Sequence, residues 1–155
     1  MFRPSYIIIL LIVFFISLFG SLITNNGMAW YNKLLLPSFT PSGAIIGAVW
    51  TVVFILSAIS VLIYWNKAYR NLRFIVAITL FIINGILNVL WSYLFFGLHL
   101  VGASILEMII LEATVIALIF LVRYSSKRAS ILLYPYAIWV AFATSLAYRV
   151  LLLNT

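Results

Sequence analysis

Five long apolar runs, separated only by short turns, constrain this chain more than any other feature. A membrane helix needs about 20 apolar residues to cross ~30 Å of hydrocarbon. Five stretches meet that requirement: Tyr6–Thr24, Gly43–Trp65, Phe74–Leu98, Gly102–Val122 and Ile131–Leu153. The first three carry no charge; the fourth holds both acids of the chain, Glu107 and Glu112, and the fifth holds Arg149. Strands of a membrane barrel alternate apolar and polar side chains over about ten residues. These runs are continuously apolar for about twice that length, so they read as helices. The expected fold class is an all-α integral membrane protein, a bundle of five transmembrane helices. The remaining residues form short loops, which leaves residues 1–155 as a single membrane domain.

Charged side chains make up 7% of the sequence, against roughly a quarter in a soluble domain. So few cannot cover a soluble surface. That excludes a soluble globular domain and a disordered chain. The net charge of +7 is no nucleic-acid signal either, because the cations sit in clusters between apolar runs. Arg3, Lys67, Arg70, Arg73, Arg123, Lys127 and Arg128 fall on one side of a five-span chain; Lys33 and His99 fall on the other, with Arg149 near the end of the last span. Cytoplasmic loops are enriched in Lys and Arg, which places the N-terminus in the cytoplasm and the C-terminus outside. Lys67, Arg70 and Arg73 are also placed to meet anionic headgroups. Arg3 ahead of the first run resembles a signal peptide, but the run is too long and no A-x-A-like site follows; it reads as a retained helix. His99 reads as a solvated loop residue. The chain has no cysteine, which removes disulfides, thiolate metal sites and Cys nucleophiles.

Polar residues at membrane depth are the next signal. Asn84, Asn88, Trp91, Ser92 and Phe95 recur at helical spacing and share one stripe of the third run. Two amides inside a membrane must face protein, water or a ligand, so the stripe is either hydrogen-bonding glue between helices or a binding face. Trp50, Phe54 and Ser57 share a face of the second run, and Trp139, Ala143 and Leu146 share one of the fifth. Plain packing explains such aromatic stripes too. Glu107 and Glu112 point about 140° apart on a helix and form no acid/base pair. Arg149 lies at a depth similar to Glu107, and an ion pair between them is expected. Gly43 and Gly47 have the spacing that lets helices approach closely. No zinc-protease, nucleophile-elbow or phosphate-loop motif occurs, and no metal is expected. The segment 25–42 is too apolar for a free linker; it reads as an interfacial anchor or as a lid over a cavity, stiffened by Pro37 and Pro41.

Three of these segments resemble one family. Its loop pattern W-Y-x-x-L-x-K-P-x-W-x-P-P, followed by V-W, is similar to Trp30-Tyr31-Asn32-Lys33-Leu34-Leu35-Leu36-Pro37-Ser38-Phe39-Thr40-Pro41-Ser42 and Val49-Trp50. Its N-x-x-W before F-F-G appears as Asn88-Val89-Leu90-Trp91 and Phe95-Phe96-Gly97, and its L-Y-P-Y-x-x-W-x-x-F as Leu133-Tyr134-Pro135-Tyr136-Ala137-Ile138-Trp139-Val140-Ala141-Phe142. The chain resembles the TspO/MBR family, the tryptophan-rich sensory and translocator proteins. The resemblance implies a five-helix bundle, often a homodimer, most simply in a bacterial plasma membrane, with a ligand cavity under the first loop. It implies porphyrins, haem-like tetrapyrroles, sterols or synthetic benzodiazepine-type drugs as ligands, and no obligatory cofactor. It turns Tyr31, Trp50, Asn88, Trp91, Trp139, Ala143 and Leu146 into ligand-binding positions, with Asn84, Glu107 and Arg149 as polar support.

Departures are specific. Leu36 stands where the family has Lys, Phe39 where it has Trp and Ser42 where it has the second Pro. A less rigid lid with one cation fewer for ligand carboxylates is expected. Leu146-Ala147-Tyr148-Arg149 lacks the spacer of the sterol-recognition pattern, which lowers the sterol reading. The leading function is a tetrapyrrole-binding sensor, with an indole-lined cavity for the flat ring, and amides and a cation nearby for orientation. Light-driven porphyrin degradation, with Trp50 and Trp139 as the oxidisable residues, is the enzymatic extension. A carrier of small lipophilic molecules without chemistry is the alternative.

Overall fold

A computed structural model describes residues 4–155 and is helical throughout its ordered elements. Helix α1 spans Pro4–Tyr31, α2 Gly43–Lys67, α3 Leu72–Ser92, α4 Val101–Arg123, α5 Lys127–Ile131 and α6 Tyr134–Leu153. Five segments are long and apolar enough to cross a membrane, α5 and α6 together making the fifth. The five-helix expectation holds; its boundaries shift in three places. Arg3 lies outside the described residues.

The first shift enlarges α1. Nothing in Asn25–Tyr31 breaks a helix, and the segment continues α1 for two further turns, so the lid shrinks to residues 32–42. The second is a five-residue π turn, Tyr93–Gly97, appended to α3. One extra residue per turn rotates the register, so the adjacent side chains Phe95 and Phe96 are both buried. The third splits the last span. Pro135 has no N–H to give to Ile131 and stands in the first turn of α6, where that loss costs nothing. A bond from Leu133 N–H to the Ser130 carbonyl closes the joint at 3.0 Å. Side-chain caps start three helices: Ser42 for α2, Asn71 for α3 and Ser126 for α5.

Helix α4 is the spine, with 44% of its central stretch buried against 6% for α1. Around it lie three packed layers. Val53, Leu111, Val115, Leu118, Tyr136 and Val140 fill the middle. Tyr64, Phe74, Ala77, Val122 and Ala129 fill the end bearing the α2–α3 turn. Phe95, Phe96, Met108, Ala147 and Val150 fill the lid end. Short hydroxyl bonds tie α5 in: Ser60 donates to the Ala129 carbonyl at 2.8 Å and Ser130 to the Ile119 carbonyl at 2.8 Å. In hydrocarbon such groups have no other partner. The exposed flanks carry Ile, Leu, Val and Phe, for example Ile8, Phe14, Ile55, Ile86 and Ile110, a surface suited to lipid.

The glycines distribute unlike the expectation. A Cβ on Gly43 or Gly47 would meet nothing within 4 Å, so this pair makes no close helix contact. Close approach occurs instead at Gly27, where a Cβ would lie 2.5 Å from the Phe96 carbonyl oxygen and 2.6 Å from Phe96 Cβ. At this crossing α1 lies directly on the π turn.

Candidate functional site

Between α1, α2, α3 and α6 lies a cavity of about 440 Å³, within the usual range for small-molecule sites. Trp50 and Phe54 enter it from α2, Asn88 and Trp91 from α3, Trp139, Ala143 and Leu146 from α6, and Tyr31 from the lid end of α1. All seven ligand-binding positions expected from the sequence therefore border one space. Gly43 and Gly47, without side chains, leave room in its α2 wall.

Trp50 is the hub of the aromatic lining. Its ring centroid lies 5.7 Å from Phe54, 6.1 Å from Trp91, 6.3 Å from Tyr136 and 6.4 Å from Trp139. Trp139 meets it edge-on, at 89°. Trp91 continues the cluster to Phe95 at 5.6 Å. The indole N–H groups of Trp91 and Trp139 are buried without a hydrogen-bond partner. Such donors are uncommon in folded proteins, and both belong to side chains on the cavity wall. Both nitrogens are themselves closed off from the cavity, so the walls present ring surface to an occupant.

The two amides have different duties. Asn84 accepts from the Tyr136 hydroxyl at 2.8 Å and donates to Thr114 at 2.8 Å, and it does not reach the cavity. It is glue between α3, α4 and α6. Asn88 donates to the Asn84 carbonyl at 2.8 Å and to the Tyr136 hydroxyl, and it also borders the cavity. Tyr136 and Thr114 complete this network, and sequence reasoning missed both. Ser57 does not reach the cavity, and its buried hydroxyl finds no partner.

Sequence reasoning also missed a wall. Ser17, Ser21, Thr24, Asn25 and Met28 of α1 line the cavity. Their spacing repeats that of Asn84, Asn88, Trp91, Ser92 and Phe95, and this same signal was available.

The expected pairing of Glu107 with Arg149 does not occur. Glu107 is 4% exposed, and neither carboxylate oxygen has a hydrogen-bond partner. Arg149 is exposed, while its neighbours Ala147 and Val150 are buried. At 100° per residue these two fix the inward face of α6 and turn position 149 out of the bundle. Neither residue lines the cavity, and no charged residue does among those described. The cation expected near the ligand is absent from the wall.

Residues 32–42, expected as a lid, contribute nothing to the cavity lining and are fastened to the end of α6. The Leu35 N–H donates to Asn154 Oδ1 at 3.0 Å, and Asn154 Nδ2 donates back to the Leu35 carbonyl at 3.0 Å. A third bond from Nδ2 to the Val150 carbonyl, at 2.8 Å, fixes the amide on its own helix. Phe39 packs on Phe142 with centroids 6.4 Å apart. His99, exposed as expected, is not free: its ring stacks on Trp30 at 4.1 Å, and its backbone adopts φ 59°.

With this geometry in place, the comparison with known sequences is decisive. The sequence model of the TspO/MBR family matches residues 8–153. The chain belongs to the TspO/MBR family. It is similar to the tryptophan-rich protein TspO of Archaeoglobus fulgidus, 38% identical over 94% of each chain. It is also similar to the tryptophan-rich protein TspO of Bacillus cereus, 32% identical over 98% of each. Against the human translocator protein, identity is 28% over 81% of this chain and 75% of the relative. As a TspO/MBR protein it is an integral membrane protein whose partner is the lipid bilayer, with relatives named tryptophan-rich protein and translocator protein. The family likeness runs through all five spans and covers both the lid and the cavity walls.

Proposed function

We propose that this TspO/MBR protein is a membrane receptor that binds porphyrin-type tetrapyrroles and other flat lipophilic molecules in the cavity between α1, α2, α3 and α6. The carrying observation is the wall itself: Trp91 and Trp139 each stand beside Trp50, with ring centroids 6.1 and 6.4 Å away, and all three line one cavity. Aromatic rings give a flat apolar ligand stacking surface, and the seam on α1 offers hydroxyls and an amide to its edge. The test is a titration of detergent-solubilised protein with protoporphyrin, read by quenching of indole fluorescence. Saturation at one porphyrin per chain is expected. Quenching that grows without saturation would reduce the cavity to a packing defect.

Light-dependent degradation extends this reading. Dioxygen is then the oxidant, the excited porphyrin the sensitiser, and Trp50 and Trp139 the oxidisable neighbours. The carrier reading rests on a different observation: among the described residues, the cavity wall holds no charged group for acid/base or ionic chemistry. A homodimer in a bacterial plasma membrane is proposed on the family likeness alone.

Orientation follows from the cations. Lys67, Arg70, Arg73, Arg123, Lys127 and Arg128 are all exposed at one end of the bundle, so that end is proposed to face the cytoplasm. The chain has no cysteine of its own, which makes the test simple. With Lys127→Cys and Thr155→Cys, an impermeant maleimide added outside intact cells should label position 155 and spare 127. The reverse pattern would invert the topology.

A further inference from the structure

The end of the bundle remote from the lid carries a feature that ligand binding does not use. The turn Ala68–Asn71 between α2 and α3 presents Arg70, followed by Arg73 in the first turn of α3. Both guanidinium groups sit over aromatic rings. Arg70 Cζ lies 4.5 Å from the Trp65 centroid and 4.0 Å from that of Phe74. Arg73 Cζ lies 4.2 Å from the ring of Tyr124, which belongs to the next turn of the same face. The Arg73–Tyr124 stack thus joins the α2–α3 turn to the α4–α5 turn, bringing Arg123, Lys127 and Arg128 alongside. A guanidinium held over a ring is restricted in place and keeps N–H groups for a partner. Arg70 uses one N–H on the Trp65 carbonyl, at 2.9 Å. That bond caps α2 and leaves the other N–H groups of Arg70 available.

No acid balances this charge. The two acids are Glu107 and Glu112, and Glu112, the nearer one, lies about 16 Å along α4 from Arg123 at 1.5 Å per residue. Beside the cations, Tyr69 is 86% exposed and Leu72 75% exposed. Unpartnered apolar side chains interleaved with fixed guanidiniums do not suit a soluble anion. They suit the boundary where a phosphate meets an acyl chain, and five membrane spans place this turn at that boundary.

We propose that Arg70 and Arg73 form a seat for the phosphate of an anionic phospholipid. Its acyl chains lie along Leu72 and the exposed flank of α3, while Arg123, Lys127 and Arg128 supply supporting field. Paired planar donors match phosphate oxygens in a way that ammonium groups do not, so the seat distinguishes Arg from Lys.

The experiment is native mass spectrometry of the full chain in detergent, loaded with phosphatidylglycerol and challenged with phosphatidylcholine. The wild type should retain one phosphatidylglycerol. Arg70→Gln and Arg73→Gln should each weaken retention about fivefold, and the double variant about 25-fold, from the net worth of one hydrogen-bonded guanidinium–phosphate contact each. Lys33→Gln and Arg149→Gln, at the other end, should change nothing. The double Arg70→Lys, Arg73→Lys variant keeps the charge and should still lose most of the retention. Retention by the double Gln variant would overturn the seat. Wild-type retention by the double Lys variant would replace it with diffuse charge. Equal binding of glycerol 3-phosphate and phosphatidylglycerol would overturn the lipid as occupant.

Discussion

Under illumination in air, Trp50→Phe and Trp139→Phe proteins saturated with protoporphyrin should keep their porphyrin while the parent consumes it. Phenylalanine preserves an apolar ring in the wall but is much harder to oxidise than indole. If the indoles only stack, affinity falls by about 0.5–1.5 kcal/mol, the scale of one aromatic pair, and light-driven loss persists at saturation. If an indole gives up an electron, loss collapses while binding survives. The geometry ranks the two variants. Trp50 touches Phe54, Trp91, Tyr136 and Trp139, so an oxidised Trp139 has only Trp50 as its indole neighbour within the cluster. Trp50→Phe should therefore have the larger effect. Asn88→Ala is the control, since it alters the polar wall and spares every indole. Absorbance at the porphyrin Soret band, followed against light dose, decides the matter. A parent protein that binds porphyrin and leaves it intact under light would remove the enzymatic reading and leave a sensor or carrier.

Gly27→Leu should weaken both fold and site, where Gly43→Ala and Gly47→Ala should leave the fold intact. At Gly27 even a methyl group would lie 2.5 Å from a backbone oxygen of the π turn, and a backbone atom cannot rotate away. Overpacking of this kind costs about 1–3 kcal/mol. It also pushes α1 off Phe96, and with α1 goes the wall bearing Ser17, Ser21 and Thr24. Thermal unfolding in detergent and porphyrin titration should deteriorate together. At Gly43 and Gly47 an added methyl meets only the cavity, so stability should hold and any loss should appear in ligand affinity alone. An unaffected Gly27→Leu protein would mean that α1 sits elsewhere in solution.

The five spans were legible because hydrocarbon imposes one requirement, length, on every crossing helix. The positions of Trp50, Asn88, Trp91, Trp139, Ala143 and Leu146 were legible as stripes, since a helix repeats its faces whatever surrounds it. Their convergence on one space was not: that came from the family likeness and then from the geometry. The Glu107–Arg149 pairing failed because depth along two helices says nothing about rotation around them, and α6 turns Arg149 outward. The glycine reading failed for a related reason. Spacing marks where close approach is allowed, while the partner backbone, here the π turn at Phe96, decides where it happens. The π turn itself has no sequence signature in this chain, and without it the burial of both Phe95 and Phe96 does not follow from any helical period.

Helix α1 meets the rest of the bundle with almost no buried residues of its own, Ile9 and Gly27 being the two. Much of what it faces is the cavity. An occupant would therefore complete the missing core between α1 and its neighbours, touching the hydroxyl seam on one side and the indoles on the other. Whatever binds the assembled form and not the loosened one raises its stability by mass action. The ligand then doubles as a structural element, and occupancy is registered as the tightness of one peripheral helix, a mechanical readout that needs no charged group in the binding site.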